Sequence, residues 1–334
     1  MALRAASFQK AAEDYADAEG SSISPMSMWR ITTGAGQVLS RRKEVEAERA
    51  SASAQRGETP WTRRVEEERS IQGQGNISTD GTMILIREEG WKEVKVGAFS
   101  RVEVLPPSPR PKRADGAEGQ PSRRDNDPRV KLSQHSYVAG LWEADEFAPY
   151  QYAEGLRRGL EQVEKLSSVN DGALWIERIT LTNFPHATQI VDWDHASGRL
   201  YTVAKAVWGE GNAQAMSWVQ ARLDKLWDGQ VEAVVKELRA LDLDQDKWPD
   251  EVRQAPGYFE TNTERMRYNQ FRTAGYPIGS GTVESGAKNV VQHRMHRPGR
   301  GWERKYANAM LALLSEYHSD RFDQTWLRLC QPAA

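Results

Sequence analysis

The chain carries a single cysteine, Cys330, in 334 residues. That excludes an internal disulfide framework and a cysteine-based zinc ribbon, and it fits a reducing cytosol. No apolar run approaches the roughly 18–20 residues of a membrane span, so no membrane partner is expected. The opening stretch "MALRAASFQKAAEDY" is charged throughout and has no apolar core of a secretory leader. Net charge is nearly absent, with 45 basic side chains against 47 acidic ones. No global field favours nucleic acid, so any basic surface must be local. What the chain does have is twelve tryptophans and 28% charged residues. That is too aromatic for a wholly disordered chain. The length suits one large domain or two to three smaller ones.

Residues 8–57 read as helical. "FQKAAEDYADAEG" ends at Gly20, a good helix stop. A second helix restarts with Ser22 or Ser24 as cap and Pro25 in its first turn. Helix, short turn and helix is the outline of a helix-turn-helix DNA reader, and equally of a helical hairpin. Residues 76–104 switch to short β-rich runs around the turn Glu88-Glu89-Gly90, with Val94, Val96 and Ala98 alternating as in a half-buried strand. Residues 105–131 hold six prolines and a run of Lys and Arg, the composition of a long mobile loop. A strand over 135–143, a helix from about 147, a strand before Asp171-Gly172, a further helix and a strand in "ATQIVDWDHAS" follow. The order is three strands, helix, strand, helix, strand. Residues 196–275 read as helical, with apolar stripes Leu200, Val203, Ala204, Val207, Trp208, then Met216, Val219, Leu223, Leu226, Trp227, then Val231, Val234, Val235, Leu238. Such stripes at helical spacing are core. An α/β pattern is expected to resume after "YPIGSGTVESGAKNVVQ", and a last amphipathic helix carries Tyr306, Met310, Leu313, Leu314 and Tyr317.

Three carboxylates stand at the ends of these elements: Asp80 beside Gly81, Asp171 beside Gly172, and Glu284 in a helix's first turn. In open α/β sheets functional groups gather at such edges. Converging carboxylates repel unless a divalent cation is shared. Mg²⁺ takes hard oxygen ligands and keeps positions for water and phosphate oxygens. Two such ions serve in-line displacement at phosphorus. Each signal alone has a plainer reading, since Asp-Gly is a common turn dipeptide and Glu suits any helix start. In "DWDH", Asp192 and His195 offer a further ligand pair, or a structural hydrogen bond. His293 and His296 sit among arginines and read as basic surface. From 281 to 310 there are six Lys or Arg against two acids, with Trp302 among them. Basic and aromatic residues together suit a DNA backbone.

Four blocks carry a resemblance: "STDGTMILIREEGWKEVKVGAFS", "VNDGALWIERI", "FPHATQIVDWDHASGRLYTVAKAVWGEG" and "YPIGSGTVESGAKNVVQHRMHRPGRGW". Together they resemble the transposases of ISKra-type bacterial insertion sequences, DDE enzymes of the Mutator-like superfamily, over about residues 8–326. The resemblance implies an α/β fold: an RNase H-like mixed sheet core with an all-helical insertion, preceded by a helical N-terminal region. The implied domains are 1–57 (DNA-binding region and linker), 58–195 (first part of the core), 196–275 (insertion) and 276–334 (second part of the core). Carried over by motif, Asp80, Asp171 and Glu284 are the catalytic and metal-holding acids, with two Mg²⁺ ions that Mn²⁺ would replace. Asp192 and His195 match the superfamily's Asp-x-x-His motif as supporting residues; Asp192 also remains an alternative second acid. Asp194 stands where the family often has an aromatic residue. Lys288, Arg294, Arg297, Arg300, Trp302 and Arg30 are the expected DNA contacts. The implied partners are double-stranded DNA, both element ends and target, and further copies of the chain in a dimer or larger synaptic assembly. The implied location is the bacterial cytoplasm, at the nucleoid when DNA is bound.

Overall fold

A computed structural model describes residues 1–57, 70–107, 127–243, 246–297 and 299–330. Most of the Pro- and Arg-rich stretch, residues 108–126, lies outside the described residues. Among those described, the chain is a mixed α/β protein with an open five-stranded sheet.

Helix α1 (Phe8–Glu19) is capped by the Ser7 hydroxyl and stops at Gly20, whose φ of +66° glycine adopts without steric cost. Helix α2 (Pro25–Gln55) begins as expected, with Ser24 accepting from the Ser27 N–H and proline in the first turn. It then runs for 31 residues, taking in the charged stretch after Leu39. Its inward residues Met28, Thr32, Gly36, Leu39, Ala47 and Ala50 are buried.

Strand β1 (Gln74–Ile86) forms a hairpin with β2 (Gly90–Leu105), and β3 (Arg129–Gly140) adds to its other side, all antiparallel. After helix α3 (Ala144–Arg157) the chain returns as β4 (Lys165–Asn170), parallel to β1. Helix α4 (Leu174–Asn183) leads to β5 (Thr188–Val191), parallel to β4. The strand order is β3-β2-β1-β4-β5. Strand β5 is shorter than its sequence block suggests, because Asp192 already caps the next helix.

Side chains alternate across the sheet as the pleat requires. Ile77, Phe99 and Val138 pack with α3 and α4 on one face. Ile84, Val96 and Ala139 face the other way. There they meet helix α13 (Arg304–His318) and the helix that begins at Gly281. That helix is α11 (Gly281–Gly286), continued by a π-helical stretch (Ala287–Gln292) and closed by α12 (His293–Met295). The C-terminal helix is α14 (Phe322–Cys330). No strand follows residue 275 among the described residues, contrary to the expected return of an α/β pattern. Only Trp302 makes a single bridge, to Ile86.

Between β5 and α11 lie helices α5 (Trp193–Trp208), α6 (Ala213–Trp227), α7 (Val231–Arg239), α8 (Asp250–Arg253), α9 (Ala255–Thr261) and α10 (Tyr268–Thr273). Their stripes are core as read: Leu200, Val203, Val219, Leu226, Val231, Val234 and Leu238 are buried together, against Val169 and Ile190 of the sheet. Met216 is the exception, at 54% exposed. No helix among the described residues is long and apolar enough to cross a membrane.

Candidate metal centre at the carboxyl ends of the parallel strands

The parallel ladders set the site. In the β1–β4 pairing Gln74 faces Lys165 and Ile77 faces Ser168. The same offset carries Asp80 to Asp171, one residue past the end of β4. In the β4–β5 pairing Ser167 faces Thr188 and Asn170 faces Val191, so the next row pairs Asp171 with Asp192. Continued past the last paired rows, these offsets align Asp80 within β1, Asp171 just after β4 and Asp192 just after β5. Where the β1–β4 ladder ends, the Asn170 side chain continues it, its Oδ1 accepting the Thr79 N–H at 2.6 Å. Nothing in the sequence marked Asn170 for this task, because its partner is 91 residues away.

Each aspartate is held differently. The Gly81 N–H donates to Asp80 Oδ1 at 2.7 Å. The Ala173 N–H donates to Asp171 Oδ1 at 2.8 Å, fixing the turn into α4. That turn needs Gly172, whose φ is +90°. The Asp171 carbonyl accepts from the Tyr258 hydroxyl at 2.9 Å, and the Arg199 guanidinium lies 4.1 Å from the Tyr258 ring centre. Asp80 and Asp171 are half-buried, and each keeps Oδ2 without a protein hydrogen bond among the described residues.

Asp192 is fully buried, and both its oxygens are engaged. Oδ1 accepts from the His195 N–H at 2.8 Å and faces His195 Nδ1 at 3.1 Å. Oδ2 accepts from the Ser280 N–H. The Trp193 N–H donates to the Ile278 carbonyl at 2.8 Å. The loop that precedes α11 is thus fastened to the end of β5. Ser280 in turn donates its hydroxyl to Glu284 Oε1 at 3.3 Å. Ser280 is a positioning contact that sequence reading passed over inside "GSG".

The electrostatics record the convergence. Burial pushes the Asp80 carboxyl up; the Gly81 N–H opposes this, while Asp171 and Glu284 add to the rise and His195 offsets part of it. Burial would also raise Asp192, but the hydrogen bonds from His195 and Ser280 hold it below the ordinary carboxylate value. His195 is raised, first by its hydrogen bond to Asp192, then by the charges of Asp192, Asp171 and Asp80 against the opposing effect of burial. The π-helical stretch directly after Glu284 is of the rare kind that recurs at functional sites.

Asp192, His195 and Glu284 form a group that can hold a metal ion, with ligand atoms within 4.8 Å of one another. Its composition differs from the three acids expected from the sequence, and Glu284 is common to both sets. Donor chemistry separates their members. Asp192 spends its oxygens on three donors, two of them backbone, whereas Asp80 and Asp171 each present a free oxygen. A carboxylate row of this kind suits a hard divalent cation, which would also relieve the repulsion felt by Asp80.

The expected DNA contacts divide. Lys288, Arg300 and Arg30 are exposed, and Arg297 and Trp302 are partly so. Arg294 is 3% exposed and so does not belong to an open basic surface. It points inward from α12, and its Nη1 donates to the Ala6 carbonyl at 3.2 Å. Neither a protein-family model nor a curated protein matches the chain.

Proposed function

We propose that the chain is a DNA transposase that cleaves strands at the ends of an insertion sequence and joins the freed 3′-hydroxyl to target DNA. The observation that carries this reading is that Asp80, in the middle of β1, lies within electrostatic reach of Asp171, just past the end of β4, and of Glu284. The strand order, with an antiparallel hairpin beside parallel β4 and β5, supports an RNase H-like core. On that reading α5 to α10 are the all-helical insertion between Asp171 and Glu284.

Asp80, Asp171 and Glu284 would hold two Mg²⁺ ions, with Mn²⁺ able to replace them. When bound, such ions activate the attacking oxygen and stabilise the leaving one. The chain's own part is positioning and charge. The Asn170–Thr79 bond fixes how far the end of β4 stands from β1 beside Asp80. Asp192 fastens the loop that delivers Glu284, and His195 stays oriented on Asp192. Double-stranded DNA is the substrate, and a dimer or larger synaptic assembly holds its two ends in the bacterial cytoplasm.

The test uses oligonucleotides carrying the terminal sequences that flank the encoding reading frame, pre-cut to a 3′-hydroxyl, with a supercoiled target plasmid and Mg²⁺. Covalent joining to the plasmid supports the reading. Hydrolysis without joining would make the chain a nuclease. Binding without either reaction would make it a silent DNA-binding relative.

A further inference from the structure

A cleft of about 420 Å³ opens beside the turn that follows β1, between the start of α1, α2 and the segment after α12. Three guanidiniums line it, those of Arg87, Arg294 and Arg300. None of the three forms an ion pair among the described residues. The one carboxylate in the lining, Glu303, has its nearest cation in Lys305 at 3.7 Å.

Arg294 is the unusual member. It is 3% exposed, yet its Nε and Nη2 have no hydrogen-bond partner. Its remaining bond, from Nη1 to the Ala6 carbonyl, is shared with Arg300 Nη1, which donates to the same oxygen at 3.1 Å. Its guanidinium lies 4.7 Å from the Phe8 ring centre and 5.6 Å from that of Trp302. A buried charge without a counter-ion is costly and calls for a compensating group. Burial, then Arg300 and Arg297, push its pKa down to about 10, which still leaves it cationic at neutral pH. That charge lies beneath the exposed guanidiniums of Arg87 and Arg300, whose planar forks match the oxygens of a phosphate. The aromatic wall of Trp29 and Trp302 offers stacking surface of the kind that bases and sugars use.

The cleft's place in the fold suggests which phosphate. Arg87 is seven residues beyond Asp80, about 23 Å at roughly 3.3 Å per strand residue. Arg294 is ten residues beyond Glu284 along a stretch that is π-helical over Ala287–Gln292, so the span is at most about 15 Å at the roughly 1.5 Å rise of an α-helix. At about 3.4 Å per nucleotide step, these spans correspond to roughly four to seven nucleotides. We infer that the cleft seats a backbone phosphate of the DNA strand about four to seven nucleotides from the bond being cut, with the exposed Arg87 and Arg300 as its ligands and the uncompensated charge of Arg294 beneath them. The identity of the occupant rests on the proposed function; the need for an anion does not.

The test compares the full chain with Arg294→Met and Arg300→Gln by fluorescence anisotropy on a labelled element-end duplex in EDTA, alongside thermal unfolding. Arg294→Met is expected to weaken duplex binding about tenfold and to lower the log–log salt slope by about one. Its melting temperature without DNA is expected to equal or exceed the parent's, since an unpaired buried charge is gone. Arg300→Gln should weaken binding in the same direction without unfolding. Neutral methylphosphonates placed four to seven nucleotides from the cut should weaken binding to the parent more than to Arg294→Met. Parent-like binding and salt slope in both variants would overturn the inference. So would Arg294-dependent stabilisation by inorganic phosphate alone, with no effect on the duplex, because the occupant is then a free phosphate compound. A parent that binds DNA through Arg294 but never cuts it would sink only the transposase reading.

Discussion

Asp80 and Asp171 lie within electrostatic reach of each other three residues beyond the last paired row of β1 and β4, and the Asn170 side chain, accepting from the Thr79 N–H, holds the two strands together just before them. Burial and the neighbouring acids raise Asp80 above its ordinary value near 3.8. Its sign follows from the direction: a carboxyl raised in the folded state contributes stability only below that ordinary value, and loses it as pH rises through the raised one.

Asp80→Asn is therefore expected to abolish metal-dependent cleavage, by on the order of 10³-fold or more, while raising the melting temperature at neutral pH. Mg²⁺ should raise the melting temperature of the parent and not of the variant. Calorimetry with and without Mg²⁺ reads both effects. A variant that melts lower than the parent and still cuts would overturn the assignment.

Asp192 should behave in the opposite way. Asp192→Asn turns an N–H toward one of the donors now bonded to its carboxylate, at a fully buried position. A loss of about 1–3 kcal/mol is expected for a buried donor left without its acceptor. Asp171→Asn, at a half-buried position with one free oxygen, should lose cleavage with little change in stability. Urea denaturation of the two variants separates the fastening residue from the metal-facing one.

Local signals explain what was legible in the sequence. Gly20, Ser24 and Pro25 mark the break between α1 and α2, because caps and stops act within a few residues. The alternation of Val94, Val96 and Ala98 marks β2, and the stripes from Leu200 to Leu238 mark a helical core. Contacts between distant segments were not legible. The hydrogen bond by which Ser280, 88 residues later, engages the second oxygen of Asp192 had no signal in the sequence. Arg294 read as one cation among several in a basic run; only the packing of Phe8 and Ala6 over it makes it buried. Met216 lies on a stripe at helical spacing and yet is 54% exposed, beside buried Ala215 and Val219.

The two glycines of "TTGAGQ" in α2 test what that helix is for. A Cβ on Gly36 would fall 2.4 Å from the Ala309 carbonyl oxygen of α13, while one on Gly34 would meet nothing within 4 Å. Gly34→Ala should stabilise by about 0.5–1 kcal/mol, the propensity gain of an exposed helical site. Gly36→Ala should instead destabilise by about 1–3 kcal/mol, as overpacking does. Thermal unfolding of the pair checks both signs. Equal stabilisation would mean that α2 does not lie against α13, and would free it for a separate reading of DNA.

The same junction carries a buried ionic cluster whose pH dependence has a definite sign. Arg321 bonds Glu154 of α3 at 2.7 Å and Glu316 of α13 at 3.1 Å, and Lys43 of α2 reaches Glu316 at 2.6 Å. Burial alone would raise Glu154, but Arg321 and Arg157 outweigh it and bring its pKa down from 4.5 to about 2. A depressed carboxylate contributes stability that is present above the unfolded value and is lost as pH falls through the folded one. Unfolding free energy is therefore expected to fall between about pH 5 and pH 2. Arg321→Met should flatten that dependence, because Glu154 then loses its strongest partner. It should also cost about 3–5 kcal/mol at neutral pH, where two buried carboxylates are left short of a cation. Denaturant titrations of parent and variant across that range provide the check. A variant with the parent's full acid slope would show that the cluster does not set the acid stability of the fold.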